Sequence, residues 1–159
     1  MSQRVVVGLG ANLGDRRRAL VRARERVGAL AGVEALASSR LYATAPVGPP
    51  QPDYLNAAIL VECTQEPAAL LQALLSIEAE LGRVRAERWG PRVIDLDVLW
   101  GPGLVVDEPA LVVPHPRLTE RDFALLPLLD VAPDARDPRT GARYAARGDA
   151  GISVVAPTW

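Results

Sequence analysis

Arg4-Val5-Val6-Val7-Gly8-Leu9-Gly10-Ala11-Asn12-Leu13-Gly14-Asp15 admits two readings, and the choice between them sets the fold. As a dinucleotide-binding turn it would open a doubly wound parallel sheet. The spacing is against that: one residue too many precedes the last glycine. Arg40-Leu41-Tyr42 also stands where the ribose-binding acid belongs. The stretch reads instead as a short β-branched strand, Arg4 to Leu9, and a tight turn into a helix. Asp15 is the expected N-cap, and Leu20, Ala23, Val27 and Leu30 recur at helical spacing as one apolar stripe. Arg16, Arg17, Arg18, Arg22, Arg24 and Arg26 lie mostly off that stripe, as a solvated face or a nucleic-acid surface would have them.

Working outward, Val33 to Ala43 looks extended and Tyr54 to Cys63 looks like a second long strand. Between them, Thr44 to Asp53 holds Pro46, Pro49, Pro50 and Pro52 with Gly48, a restricted loop longer than a hairpin needs. Pro67 suits the first turn of a second helix, whose buried stripe is Leu70, Leu74, Ile77 and Leu81 and whose stop is Gly82. Glu78 flanks that stripe, so its carboxylate either pairs with an arginine or touches a ligand. After the polar, aperiodic run Arg83 to Arg92 come a strand, Val93 to Trp100, and a short edge strand, Leu104 to Val106. A loop through Pro114-His115-Pro116 leads to a third helix over Arg121 to Leu129. The order β-α-β-β-α-β with a following helix predicts an α+β fold. It is a ferredoxin-like sandwich, a mostly antiparallel sheet with helices packed on it. One domain over residues 1–159 is expected, with 134–159 a loosely ordered tail carrying a strand near Ile152 to Val155.

Composition narrows the chemistry. The chain has 159 residues, 49% of them hydrophobic, and 18 basic against 19 acidic side chains, for a net charge of -1. That balance disfavours bulk binding to nucleic acid or to an anionic membrane. All the basic residues are arginine, which excludes a P-loop lysine, a Schiff base and a lysine general base. One cysteine, Cys63, and one histidine, His115, exclude a disulfide framework and a Cys/His zinc site. No run approaches the roughly 20 apolar residues of a membrane span, and no secretory leader is legible, so a cytoplasmic protein is expected.

Asp95 and Asp97 alternate with Ile94, Leu96 and Val98, so the two carboxylates project from one strand face while the aliphatics turn to a core. Side by side they repel unless a cation sits over them, and Mg²⁺, a hard cation that also takes phosphate oxygens, suits them. A solvent-facing strand with two incidental acids is the alternative. Arg83, Arg85, Arg88 and Arg92 precede this strand and can reach the same rim, where guanidinium groups fit phosphate. Carboxylates for Mg²⁺ beside arginines for phosphate suit phosphoryl transfer. A salt-bridged surface is the competing reading, and it leaves Trp89 within the arginine run unexplained. His115, between two prolines and near Arg117 and Arg121, is a packing residue or a phosphate contact. Tyr54 and Asn56 share a strand face, as an aromatic plane and an amide suited to a flat heterocycle or as ordinary core and edge residues.

The strings GLGANLGD, SSRLYATAPVG with QPDYLNAAI, IEAELGRVRAERWGPRVIDLDVL and VPHPRLTERDFALLPL run in order from about Val5 to Pro133. Together, and most specifically in RWGPR-x-IDLD, the chain resembles the 6-hydroxymethyl-7,8-dihydropterin pyrophosphokinases of folate biosynthesis. The resemblance implies transfer of pyrophosphate from ATP to the pterin hydroxymethyl group, with release of AMP. It implies two Mg²⁺ ions on Asp95 and Asp97, and phosphate-contacting catalytic arginines at Arg83, Arg85 and Arg92 in a mobile loop. ATP contacts are implied at Glu78, Arg85, Trp89, His115 and Arg121. The pterin pocket maps onto Thr44, Pro46, Val47, Tyr54, Asn56, Trp89 and Phe123, with Tyr54 and Phe123 sandwiching the ring and Asn56 reading its edge. The expected partners are these small molecules, with no nucleic acid or membrane, and a monomer is expected. Leu75, Ala45, Pro116 and Ala110 depart from residues that relatives use there, and the arginine loop is one residue shorter than in some. Two further classes stay open: a non-catalytic nucleotide or pterin sensor, and an RNA-binding module. The second is disfavoured by an aromatic content of 4% and the balanced charge.

Overall fold

The computed structural model describes residues 2–46, 50–82 and 93–159. In chain order these residues form β1 (Gln3–Ala11), α1 (Arg16–Gly28), β2 (Val33–Ser38), β3 (Leu41–Thr44), β4 (Tyr54–Cys63) and α2 (Pro67–Glu80). Then follow β5 (Asp95–Trp100), β6 (Val106–Glu108), β7 (Leu111–Val113), a 3-10 turn (Leu118–Glu120), α3 (Asp122–Val131) and β8 (Ile152–Ala156).

The main sheet runs β5-β1-β4-β3-β8, with β2 also pairing β4, and every pairing is antiparallel. Alternation along the strands builds two cores. Val5, Val7 and Leu9 of β1 and Leu96 and Val98 of β5 face α1 and α2, meeting Leu20, Val27, Leu70 and Leu74. Val6, Ala58, Leu99 and Trp100 face the other way, against Leu125, Leu128 and Val131 of α3. This is the expected α+β sandwich, with an additional helix layer on the second face.

Local signals act as their chemistry requires. Asp15 Oδ1 accepts from Arg18 N at 3.1 Å, capping α1, and Pro67 opens α2 where its missing N–H costs nothing. Gly82 takes φ +91° just past α2, a conformation that favours glycine. Some boundaries move. β1 continues through Gly8 and Gly10 to Ala11, so the glycines expected in a turn lie inside a strand paired on both edges. The extended segment after Val33 breaks at Ser39 and Arg40 into two strands. The expected edge strand starts later, at Val106, and pairs with β7 in a separate two-stranded sheet.

The segment after Pro133, expected to be loosely ordered, is pinned at several points. β8 pairs β3, and Trp159 is buried, donating from Nε1 to Ser39 O at 2.8 Å. Arg24 stacks 4.3 Å from the Trp159 ring centroid. Among the described residues no helix is long and apolar enough to cross a membrane.

α3 is tied to the sheet by a polar cluster. Tyr42 Oη donates to Asp130 Oδ2 at 2.8 Å, and Arg40 Nε and Nη2 reach the same carboxylate at 3.1 and 3.0 Å. Burial, then the bond to Asp130, push the Tyr42 hydroxyl up to about 12. Burial also pushes the Asp130 carboxyl up, but hydrogen bonds from Arg40 and Tyr42 override it and leave Asp130 below its ordinary 3.8. Asp130→Ala is expected to destabilise the fold by about 1–3 kcal/mol at neutral pH, because the buried Tyr42 hydroxyl loses its acceptor. Since the native pKa is lowered, the wild-type advantage is complete above pH 3.8 and fades as pH falls through the lowered value. Urea unfolding of both proteins across pH checks the sign.

Candidate active site

The register of β1 against its two neighbours lays out one face of the sheet. Asp95, Gly10, Asn56 and Tyr42 form a row across β5, β1, β4 and β3, and Asp97, Gly8 and Ala58 form the next. Directly paired residues share a face, and Ala58 lies in the cluster under α3, so both rows look toward α3. With strands about 4.8 Å apart, Asn56 stands roughly 10 Å from Asp95 with only glycine between. A Cβ on Gly10 would lie 3.0 Å from Asn56 Nδ2, and one on Gly8 would lie 2.9 Å from Leu99 Cδ1. The two glycines therefore let the Asn56 and Leu99 side chains lie close over β1, between the acids and the amide.

Asp95 and Asp97 are half-buried on this face, while Ile94, Leu96 and Val98 are fully packed behind them. Glu78 approaches β5 from the α2 side, 2% exposed, and its Oε2 accepts from Leu96 N at 2.7 Å. The carboxylate read as a nucleotide contact thus holds the backbone between the two aspartates. Edge strands leave such amides without a sheet partner, and here the acid supplies one.

His115 and Arg121 join the aspartates electrostatically. His115 N donates to Leu99 O at 2.8 Å, fixing its loop to β5, and His115 Nδ1 accepts from Arg117 N at 3.2 Å. Neutral His115 therefore carries its proton on Nε2. Burial, then the charge of Arg121, lower its pKa; Asp95 opposes them and Arg117 adds to them. Burial, then Arg117, also lower the Arg121 guanidinium from its ordinary value, with Asp97 and Asp95 opposing, and it remains a cation at neutral pH.

The other end of this face carries two orphaned oxygens. Thr44 Oγ1 and Asn56 Oδ1 are buried and find no hydrogen-bond partner among the described residues. Thr44 pairs with Tyr54 across β3 and β4, which puts Thr44, Tyr54 and Asn56 on the α3 side. Tyr54 and Pro46 are half-buried, as is Phe123 in the first turn of α3, where Arg121 lies 5.7 Å from its ring centroid. Thr44, Tyr54, Asn56, Asp95 and Asp97 thus share one sheet face, and Arg121 and Phe123 begin the helix laid over it. Val47, Arg83, Arg85, Trp89 and Arg92 lie outside the described residues.

Two positioning residues escaped the reading of the sequence. Buried Asn12 donates from Nδ2 to Gln51 Oε1 at 2.7 Å and to Pro52 O at 3.1 Å, and Arg16 Nη1 donates to Asp53 O at 2.8 Å. Together they pin the end of the proline loop to the start of α1. Asn12 had a signal, an amide in a turn between apolar neighbours. Arg16 had none beyond its charge.

The donor set suits a hard divalent cation. Two carboxylates lie side by side on this sheet face, and the described residues contain no group of three or more His, Cys, Asp or Glu able to hold a metal alone. Mg²⁺ commonly takes one or two carboxylates and fills its remaining places with water and phosphate oxygens.

A family model described as 7,8-dihydro-6-hydroxymethylpterin-pyrophosphokinase (HPPK) matches residues 6–133. A Methylorubrum extorquens 2-amino-4-hydroxy-6-hydroxymethyldihydropteridine pyrophosphokinase is 47% identical over 132 residues, 82% of this chain and 84% of that protein. A Synechocystis protein of the same name is 42% identical over 136 residues, covering 86% of this chain and 70% of that one. Among solved structures, an HPPK-DHPS in complex with substrates superposes on 91% of this chain at TM-score 0.69 and 12% identity. Wild-type Plasmodium falciparum HPPK-DHPS superposes on 91% at TM-score 0.68 and 13% identity. These two likenesses concern the fold, and this chain spans only 42% and 44% of those solved chains.

Glu78→Ala is expected to leave the Leu96 amide without its acceptor, at a cost of about 1–3 kcal/mol, whereas Glu78→Gln keeps an acceptor oxygen and most of the stability. Hydrogen exchange at the Leu96 amide, faster in the alanine variant than in the glutamine one, is the readout.

Proposed function

This chain belongs to the 7,8-dihydro-6-hydroxymethylpterin-pyrophosphokinase family, and on that premise we propose that it transfers pyrophosphate from ATP to 6-hydroxymethyl-7,8-dihydropterin in folate biosynthesis. The observation that carries this is the shared face: orphaned oxygens of Thr44 and Asn56 at one end, paired aspartates at the other, with Gly8 and Gly10 between them. A flat heterocycle bearing an amino group suits the first end. A polyphosphate with its cations suits the second.

In this reading the pterin stacks between Tyr54 and Phe123, and Asn56 Oδ1 and Thr44 Oγ1 receive the polar edge that their burial leaves unmatched. Pro46 and Val47 close the pocket from the loop that Asn12 and Arg16 anchor. The span of roughly 10 Å between Asn56 and Asp95 accommodates a bicyclic ring with its hydroxymethyl arm directed toward the acids. Asp95 and Asp97 would hold two Mg²⁺ ions, and bound magnesium would neutralise phosphate charge and favour in-line displacement. Arg121, and His115 through its Nε2–H, donate to phosphate oxygens. Arg83, Arg85 and Arg92 add guanidinium donors, and Trp89 covers the site so that water is excluded. The hydroxymethyl oxygen bonds to the β-phosphorus, the bond from that phosphorus to the oxygen bridging to the α-phosphate breaks, and AMP leaves with that oxygen. One proton is released from the hydroxyl. Positioning and charge complementarity supply most of the acceleration in such transfers. The protein acts on these small molecules as a cytoplasmic monomer of one domain, without nucleic acid or membrane.

Incubation with Mg-ATP and 6-hydroxymethyl-7,8-dihydropterin is expected to yield AMP and the pterin pyrophosphate in equal amounts. Asp97→Ala is expected to abolish AMP formation while leaving pterin binding, followed by fluorescence, within about threefold; undiminished turnover would refute the acid site. Gly10→Ala should act on the Asn56 side of the row. Its methyl group meets the Asn56 amide at 3.0 Å. Pterin affinity should weaken by roughly tenfold with little change in ATP affinity, as paired titrations of the two substrates will show.

A further inference from the structure

Asp122 is an acid in the first turn of α3, 1% exposed, with no place in the chemistry above. Its carboxylate does not cap its own helix. Oδ1 accepts from Arg147 N at 2.9 Å, and Oδ2 accepts from Gly148 N at 2.8 Å and Asp149 N at 2.9 Å. Three successive backbone amides converging on one carboxylate form an anion-binding nest, which Gly148 permits by taking φ +83°. Burial pushes the Asp122 carboxyl up, yet these amide bonds override it and hold the group below its ordinary value.

The two sides of this clamp lead to two walls of the proposed pterin pocket. On the helix side the next residue is Phe123. On the other side the chain runs from Asp149 to Gly151, whose carbonyl accepts from Ala45 N at 3.1 Å, and then enters β8, where Ile152 pairs with Thr44. The segment carrying Thr44 and Ala45 is thus held from outside by the strand that Asp122 anchors. We propose that Asp122 is a positioning residue for pterin recognition, setting the spacing between Phe123 and the Thr44 wall by gripping the backbone at residues 147–149. It touches neither substrate. It acts through α3 and β8, so its loss loosens the pocket while Asp95 and Asp97 stay fixed by the pairing of β5 with β1.

This inference rests on the pterin reading of the site, and its test separates the two. Asp122→Ala, Asp122→Asn and Gly148→Ala are compared with wild type by thermal melting, by pterin titration without ATP, and by AMP formation with each substrate varied. The expected result is a pterin KM raised by about tenfold in Asp122→Ala, with kcat at saturating pterin and the KM for ATP within about twofold of wild type. Asp122→Asn keeps acceptor oxygen but turns an amino group toward the nest, so it should fall between Asp122→Ala and wild type. Gly148→Ala strains the nest from the other side and should raise the pterin KM by about threefold. If Asp122→Ala does not fold, the milder two variants decide. An unchanged pterin KM in folded variants, or a loss confined to kcat, overturns the positioning role while leaving the pyrophosphokinase reading intact. A wild-type protein that forms no AMP overturns the pyrophosphokinase reading itself and the positioning role with it.

Discussion

Antiparallel pairing of β1 on both of its edges is the constraint from which the rest of the site follows. Register against β5 sets Asp95 opposite Gly10 and Asp97 opposite Gly8, while register against β4 sets the same glycines opposite Asn56 and Ala58. A slip of one residue on either side would turn the acids or the amide into the aliphatic core. The packing of Val5, Val7, Leu9, Leu96 and Val98 against α1 and α2 makes such a slip costly, so the hydrophobic core enforces the alignment of the polar face.

Several interactions beyond the core support that face by gripping backbone. Glu78 holds β5 at Leu96 N, Asn12 holds the proline loop at Pro52 O, and Asp122 holds the chain ahead of β8 at three amides. Each is a buried polar side chain, expensive to place unless its hydrogen bonds are made. All three lie beside a proposed functional element and outside it, as suits a site that works by positioning.

Legibility in the sequence varied with the range of the interaction. The α1 cap at Asp15, the proline start of α2 and the stop at Gly82 were readable because each depends on a few neighbouring residues. Alternation also told which way Asp95 and Asp97 face. The role of Gly8 and Gly10 was not readable, because their reason lies across the sheet, in Leu99 and Asn56. Glu78 was marked as a carboxylate in need of a partner, and one partner is a backbone amide 18 residues away, which leaves no trace in side-chain pattern. The final segment, polar and rich in glycine, read as loose; its order comes from Trp159 on Ser39 O and from pairing with β3, contacts of very long separation.

By itself the sequence determined the order and kind of the elements, the exclusion of lysine, disulfide and Cys/His zinc chemistry, the acid pair and the family. These follow from composition, periodicity and short motifs, which are properties of neighbours along the chain. Only the tertiary structure decided that the acids, the two glycines and the two orphaned oxygens occupy one face, and that buried polar side chains fasten the backbone around it. Those facts depend on strand register and on hydrogen bonds to backbone, whose donors and acceptors are the same at almost every residue and so carry no signature in sequence.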